Sequence, residues 1–274
     1  GGLDSSAIVA FANEVKKNIP CFTIKLESPE SDGFVDDLKY ARKVANHFDL
    51  PLNEITVSPK EFIKSLPEMV KHLDEPIADP AAINLLFICS QAKNKNVKVL
   101  LSGTGGDDLF TGYRRHKSEY LYQILKNLPK SIKVNLSRFS KTLNSNNPSQ
   151  RKLKRFLSLS LLSNKDRILE YYSLNSQENI NRLFSVESLR DLQILGNDQP
   201  IDDFLNLLPK ELTSLEKMLA LDQRFFLSMH NLNYVDKMSM ANGIEVRVPF
   251  LDKYLVELAS VIDIKYKQRG LKSK

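Results

Sequence analysis

Apolar residues recur with two different spacings in the first hundred residues. Short runs of β-branched and aromatic residues alternate with longer stretches in which apolar residues return every three or four positions. The short runs predict strands at 21–26, 52–57 and 97–101. The longer stretches predict helices at 5–18, 36–48, from 58 onward and at 81–95. Because strands alternate with helices, we predict an α/β fold whose parallel sheet is covered on both faces.

Between Lys117 and Ser228 the spacing is helical throughout. Predicted helices in this region lie at 121–128, 153–162, 166–172, 202–208 and 214–230. A polar tract at 140–150, which contains Pro148, is predicted to be an exposed loop. We therefore predict three parts, namely an α/β core at 1–116, a helical subdomain at 117–230 and a return segment at 231–274 that completes the cleft of the core.

The composition is typical of a globular chain with an apolar core. Of its 274 residues, 42% are hydrophobic and 26% are charged, and the net charge is +6. We interpret the densest basic run, 151–155, as a solvated helical face rather than a nucleic-acid surface. No apolar run reaches the length of a membrane span. These features predict a cytoplasmic protein with no nucleic-acid and no membrane partner.

The cysteines and histidines give no indication of a metal site. Cys21 and Cys89 lie among apolar residues, as is typical of reduced thiols in a protein core. The four histidines, which lack the spacing of metal ligands, are His47, His72, His116 and His230. We predict surface or packing roles for them.

The first six residues combine Gly1 and Gly2 with Asp4, Ser5 and Ser6. The glycines let backbone N–H groups close on a ligand, and the two serines are predicted to cap the helix that follows. Backbone donors and the positive end of a helix dipole attract phosphate, so this turn predicts a phosphate cradle, although one without the Lys-Ser/Thr pair of a P-loop. A loop that only caps a helix is the alternative. Since such a cradle normally follows a buried strand, we expect a first strand upstream.

A second glycine-rich turn, 102–113, follows the predicted strand that ends at Leu101. Ligands bind at the carboxyl ends of the strands in doubly wound sheets, so Asp4 and Asp107 are expected at the same edge. Carboxylates repel phosphates unless a divalent cation lies between them. The pair therefore predicts Mg²⁺ that bridges ATP oxygens to Asp4 and Asp107, with a capping role for both carboxylates as the alternative.

A third informative segment, 234–252, mixes charged and apolar residues around Gly243. Glu245 and Arg247 alternate onto one side of an extended stretch. This arrangement is compatible with a buried ion pair, a fork that binds a carboxylate, or a purely structural ion pair.

Four stretches resemble the synthetase domain of asparagine synthetases. GGLDSS is similar to that family's SGGLDSS loop without its first serine, and LSGTGGDDLFTGY is similar to LSGEGADELFGGY. DKMSMANGIEVRVPFLD is similar to DRMSMAHSLEVRVPFLD, and DEPIADPAA resembles DEPFADPS. The resemblance covers the whole chain in the right order. It implies a five-stranded parallel sheet of the ATP pyrophosphatase (adenine nucleotide alpha hydrolase-like) type, with its first strand and a glutaminase domain upstream.

The resemblance also implies an ATP-dependent ligase. A carboxylate attacks the α-phosphorus of ATP to give an acyl-AMP and pyrophosphate, and glutamine-derived ammonia then displaces AMP, most simply converting aspartate to asparagine. Carried over by motif, the pyrophosphate-binding residues are Gly1, Gly2, Asp4, Ser5 and Ser6. The nucleotide contacts are Ser102, Gly103 and, beside the adenine, Ile24. The Mg²⁺ ligands are Asp4 and Asp107, and the catalytic set is Asp4, Asp107, Thr104, Glu245 and Arg247.

One position departs from the family pattern. Thr104 stands where LSGEGADE carries a glutamate that belongs to the acyl-adenylate step. The alternatives are therefore amidation of another carboxylate, such as a sugar acid, or a non-catalytic homologue. The family's later lysine, which assists the acyl-adenylate, is expected beyond Lys274. A homodimer is compatible with the resemblance.

Overall fold

A computed structural model describes residues 2–27, 37–77, 79–144, 147–173, 179, 181–195 and 199–271. The chain divides into two compact units, each built from two separate stretches. The first unit comprises the described residues of Gly1–Phe110 and Gln223–Ile262, and the second comprises those of Thr111–Asp222 and Asp263–Ser273. The three-part division expected from the sequence remains a prediction.

The described helices cover most of the chain. In chain order they are α1 (Leu3–Val15), α2 (Asp37–Phe48), α3 (Pro59–His72), α4 (Ala81–Asn94), α5 (Gly106–Phe110), α6 (Arg114–Leu125), α7 (Lys130–Ser140), α8 (Pro148–Ser158), α9 (Asn164–Tyr172), α10 (Val186–Leu195), α11 (Gln199–Leu207), α12 (Ser214–Leu221), α13 (Leu232–Met240), α14 (Lys253–Val261) and α15 (Ile264–Lys267). A π-helical segment, Asp222–Asn231, joins α12 to α13, and short 3₁₀ turns lie at Leu159–Leu161 and Pro249–Leu251.

The strands of the first unit form two parallel pairs. Strand β1 (Cys21–Leu26) pairs with β2 (Leu52–Val57), and β3 (Val99–Leu101) pairs with β4 (Glu245–Arg247). The predicted bounds of β1 and β2 are confirmed, whereas the third strand begins two residues later than predicted. The α/β class is therefore confirmed, with helices predominating and two small parallel sheets in the described residues.

Helix α4 lies at the centre of the first unit. Apolar residues lie on nearly every side of this helix, which is typical of a helix that is packed against other elements on all faces. One apolar cluster contains Met69, Ala82, Ile83 and Met238, and another contains Cys89, Ala92 and Ile244. Burial of a large apolar side chain contributes about 1.5–3 kcal/mol, so these contacts hold α3, α4 and α13 together and support the sheets.

The second unit is helical in its described residues, as the spacing predicts, and polar side chains fill part of its interior. Glu119 accepts two hydrogen bonds from Arg167, at 2.8 and 2.9 Å, and both side chains are fully buried. Asp222 accepts hydrogen bonds from Arg115, His116 and, at 2.7 Å, from the Tyr172 hydroxyl. Burial, followed by the Asp222 carboxylate, raises the pKa of Tyr172, so this phenol remains a donor.

Two predictions for the helical region are wrong in part. The 140–150 tract is not one exposed loop, because Ser140 is buried at the end of α7 and α8 begins at Pro148. Asn147 accepts hydrogen bonds from the N–H groups of Ser149 and Gln150, which is a helix start with proline at the first position. The helix predicted at 214–230 instead continues through the π-helical segment to Met240.

The predicted 5–18 helix begins earlier than expected, at Leu3. The helix predicted at 121–128 begins at Arg114 and ends at Leu125. Most of the polar loop between β1 and α2 lies outside the described residues. Among the helices that the structure describes, none has both the length and the apolar character needed to cross a bilayer.

Candidate functional site

The first glycine-rich turn leads directly into α1. Gly2 is the N-cap residue, and as a glycine it has no side chain with which to cap this helix. The hydroxyls of Ser5 and Ser6 donate to the Gly2 carbonyl at 3.1 and 2.8 Å. The prediction that these serines cap the helix is therefore wrong. They lie inside its first turn, where a hydroxyl reaches a preceding carbonyl, and Asp4 lies there with them.

The second glycine-rich turn packs directly against the first. A Cβ atom on Gly103 would lie 2.7 Å from the Ser5 nitrogen, and one on Gly106 would lie 2.5 Å from the carboxyl carbon of Asp4. At Gly103 a Cβ atom would clash with backbone, and at Gly106 it would force the Asp4 side chain to move. The two turns therefore meet at the carboxyl end of β3, with the Asp4 carboxylate against the backbone of Gly106.

Asp107 follows Gly106 in the first turn of α5. It is partly exposed, whereas its neighbour Asp108 is 1% exposed. The backbone thus brings the Asp4 carboxylate next to Gly106, the residue that precedes Asp107. The structure describes no position for Gly1.

Residues of the return segment contact the second turn at two places. The Ser102 N–H donates to the Arg247 carbonyl at 2.9 Å, which extends the pairing of β3 with β4 by one residue. Gly105 has φ +93°, and a Cβ there would lie 2.5 Å from Cδ2 of Leu251. The turn is therefore held at one end by β4 and in its middle by the 3₁₀ turn that ends at Leu251.

Thr104 lies within this turn as an uncharged group. Its hydroxyl and that of Ser102 are 2.8 Å apart, and the Thr104 N–H donates to the Ser102 hydroxyl oxygen at 3.2 Å. One of the two hydroxyls donates to the other, so the side chain of Thr104 is tied to that of Ser102 at the start of the turn. The position supplies a hydrogen-bonding group but no carboxylate.

Glu245 and Arg247 do lie on one side of β4, with Nε of Arg247 and Oε1 of Glu245 3.7 Å apart. Their side chains are 54% and 67% exposed, so the buried ion pair considered from the sequence is wrong. A three-residue strand at a sheet edge leaves alternate side chains in water. The pair contributes little stability because solvent screens it. Ile24 lies on β1 opposite Ile55 and is partly buried.

Sequence reasoning missed a hydrogen-bonded pair formed by Asp79 and His230. His230 Nε2 and Asp79 Oδ2 are 2.9 Å apart, although 151 residues separate the two positions in the chain. The other Asp79 oxygen accepts from the Ala81 N–H at 2.8 Å. The hydrogen bond from His230 and, secondarily, that from Ala81 lower the pKa of Asp79 against the opposing effect of burial. Nothing in the local pattern around His230 indicates this partner.

A family model described as asparagine synthase matches residues 1–274, so the chain belongs to the asparagine synthase family. It is 29% identical over 276 residues to asparagine synthetase (glutamine-hydrolyzing) 1 of Bacillus subtilis, in an alignment that covers 98% of this chain and 40% of that protein. It is 33% identical over 264 residues to a putative asparagine synthetase (glutamine-hydrolyzing) of Mycobacterium tuberculosis, which covers 95% of this chain and 38% of that relative. The chain thus spans about two fifths of the length of these relatives.

Proposed function

We propose that the protein amidates a carboxylate at the expense of ATP, through an acyl-AMP intermediate, with release of pyrophosphate and AMP. The observation that carries this proposal is the contact of the Asp4 carboxylate with Gly106, immediately before Asp107. Two glycine-rich turns that meet at the end of a parallel strand form a site suited to nucleotide phosphates. Membership in the asparagine synthase family agrees with this chemistry.

The pyrophosphate part of ATP is assigned to the first turn and the start of α1. The residues proposed to hold it are Gly1, Gly2, Asp4, Ser5 and Ser6. The helix dipole places partial positive charge at this end of α1, which favours the anion. Ser102 and Gly103 are proposed to contact the nucleotide from the second turn, and Ile24 to lie beside the adenine.

Asp4 and Asp107 are proposed to hold Mg²⁺. The described residues contain no group of three or more histidine, cysteine or acidic side chains placed to form a metal cage. Mg²⁺ bound with a nucleotide does not need one, because one or two carboxylates, phosphate oxygens and water complete its shell. Asp4, which lies against Gly106, and Asp107, the next residue, supply the two carboxylates of this donor set. The ion would neutralise phosphate oxygens as pyrophosphate leaves.

The remaining proposed residues act on the carboxylate substrate. Its oxygen attacks the α-phosphorus, the bond to pyrophosphate breaks, and ammonia later displaces AMP from the acyl carbon. The exposed guanidinium of Arg247 can bind a carboxylate in the two-pronged manner of arginine, with Glu245 orienting it. Thr104 is proposed to hydrogen-bond within the site without exchanging a proton.

We also propose that the two strand pairs belong to one five-stranded sheet. A cavity of about 680 Å³ lies between β1 and β3, and apolar side chains of α1 and α4 line it, among them Ile8, Val9, Leu85 and Ile88. Each of these strands is paired on one edge only in the described residues. A parallel strand in this cavity would pair both open edges and lead into the first turn, which supports a strand that precedes Gly1.

Aspartate is the proposed substrate, and a glutaminase domain elsewhere in the full-length protein is the proposed source of ammonia. Because Thr104 is a neutral residue where the family pattern has a glutamate, a different carboxylate, such as a sugar acid, is the second candidate substrate. The test supplies the full-length protein with ATP, Mg²⁺, ammonium chloride and one member at a time of a carboxylate panel that includes aspartate and hexuronic acids. We expect pyrophosphate release that depends on one carboxylate. Equal release with and without every carboxylate, or none at all, would contradict the proposed function and favour a non-catalytic homologue.

A further inference from the structure

The Asp79–His230 pair has the geometry of a carboxylate-oriented imidazole. Nε2 of His230 lies 2.9 Å from Asp79 Oδ2, and the two side chains are 26% and 29% exposed. Asp79 is itself fixed by the Ala81 N–H at the start of α4. An ionised Asp79 selects the tautomer with the proton on Nε2, which leaves the lone pair on Nδ1. In the described residues, Nδ1 makes no hydrogen bond.

Two aromatic rings fix the plane of this imidazole. The Phe226 ring stacks on it with centroids 4.9 Å apart and an interplanar angle of 20°. The Tyr234 ring contacts it edge-on at 5.6 Å. His230 and Phe226 both belong to the π-helical segment Asp222–Asn231. Helices of this type are rare in proteins, and those that occur are often found at functional sites.

The same elements connect the pair to the second glycine-rich turn. The Gln223 side chain donates to the Asp108 carbonyl at 3.3 Å, so the π-helical segment is anchored one residue after Asp107. Burial and then the carboxylates of Asp79 and Asp108 raise the pKa of Tyr234 to about 12, which indicates that this ring lies near both acids. The charged and titratable groups around the imidazole are therefore Asp79 from the loop, Tyr234 from α13 and, beyond Tyr234, Asp108 from α5.

We propose that His230, oriented by Asp79, is the base that accepts the proton released when the nitrogen nucleophile displaces AMP. This inference rests on the proposed function and assigns a residue to its second step. The nitrogen lone pair forms the C–N bond, the C–O bond to AMP breaks, and AMP leaves with that electron pair. One nitrogen-bound proton passes to Nδ1 of His230 and then to solvent. Asp79 is a positioning residue in this step.

The two chemical steps can be measured separately in the full-length protein. Exchange of labelled pyrophosphate into ATP, with Mg²⁺ and the active carboxylate but no nitrogen donor, reports adenylation alone. Hydroxamate formation from hydroxylamine reports the second step, with a nucleophile that does not need glutamine hydrolysis. His230→Gln is the test variant. His72→Gln is the matched control, since His72 pairs with Glu68 at 3.1 Å within α3 and its side chain is 31% exposed, similar to that of His230.

We expect His230→Gln to leave pyrophosphate exchange unchanged and to lower hydroxamate formation by about 10²- to 10⁴-fold, the usual contribution of a positioned base. The acidic limb of the pH–rate profile of the second step should disappear in this variant and persist in His72→Gln. Asp79→Asn, which keeps the side-chain shape, should give a smaller loss and displace that limb. Thermal unfolding of each variant shows whether the fold is retained.

The outcomes separate this inference from the function on which it rests. Wild-type hydroxamate formation in His230→Gln, or an equal loss in both steps in a folded His230→Gln and in Asp79→Asn, would overturn the role of His230 while the proposed function stands. Absence of pyrophosphate exchange in the wild-type protein would overturn the proposed function, and with it the assignment of His230.

Discussion

The carboxylate of Asp4 lies against the α-carbon of Gly106, so closely that a methyl group on Gly106 would be 2.5 Å from the carboxyl carbon and from one of its oxygens. This contact joins the start of α1 to the start of α5, which are about a hundred residues apart in the chain. A side chain at Gly106 would therefore displace the Asp4 carboxylate from its position.

Gly106→Ala should abolish carboxylate-dependent pyrophosphate release, because the new methyl group displaces the Asp4 carboxylate. Gly243→Ala is the control, since Gly243 has φ +67° but open space around its α-carbon. The control carries backbone strain of about 1–2 kcal/mol without a steric clash, so its activity should persist. Activity in Gly106→Ala close to that of the wild type would show that the contact does not matter for phosphate binding.

Asp107→Asn should also remove pyrophosphate release, because the amide keeps the shape of the side chain but not the charge that Mg²⁺ requires. Titration of activity with Mg²⁺ measures the effect, and the melting temperature reports the fold. The matched variant is Asp37→Asn, which changes another acid in the first turn of a helix. If the activity of the Asp107→Asn protein depends on Mg²⁺ as that of the wild type does, the metal assignment is refuted.

Glu119→Gln should lower the free energy of unfolding by about 3–5 kcal/mol, because it leaves the guanidinium of Arg167 buried without its counter-charge. Denaturant titration measures the change. Lys165→Ala removes one partner of the Lys165–Asp202 pair, whose side chains are 54% and 28% exposed, and should cost at most about 1 kcal/mol. Equal effects of the two substitutions would mean that burial does not distinguish these pairs.

The lowered pKa of Asp79 implies that the stability of the protein depends on pH in the acidic range. Because the pKa of Asp79 is lowered in the folded state, its contribution is present above its ordinary value of 3.8 and is lost as the pH falls through the lowered pKa. The wild type should therefore lose its stability advantage over Asp79→Asn progressively as the pH falls below about 5. Denaturation midpoints of both proteins across this range test the sign. A difference that grows as the pH falls would contradict it.

Local patterns were enough to locate several elements. The bounds of β1 and β2 follow from short β-branched runs that each come after a proline, and α3 begins where Ser58 and Pro59 predict it, with a capping box to Glu61. The same local reasoning failed at α1. Ser5 and Ser6 are good capping residues by type, but Gly2 takes the N-cap position and shifts both serines into the helix.

The sequence by itself therefore determined the alternation of strands and helices, the two glycine-rich turns and the carboxylates within them, because each depends on residues that are neighbours in the chain. Only the tertiary structure decided that Asp4 lies on Gly106, that Leu251 lies on Gly105 and that His230 pairs with Asp79. These contacts depend on how parallel strands and packed helices bring distant segments together, and that packing leaves no trace in the local pattern of either partner.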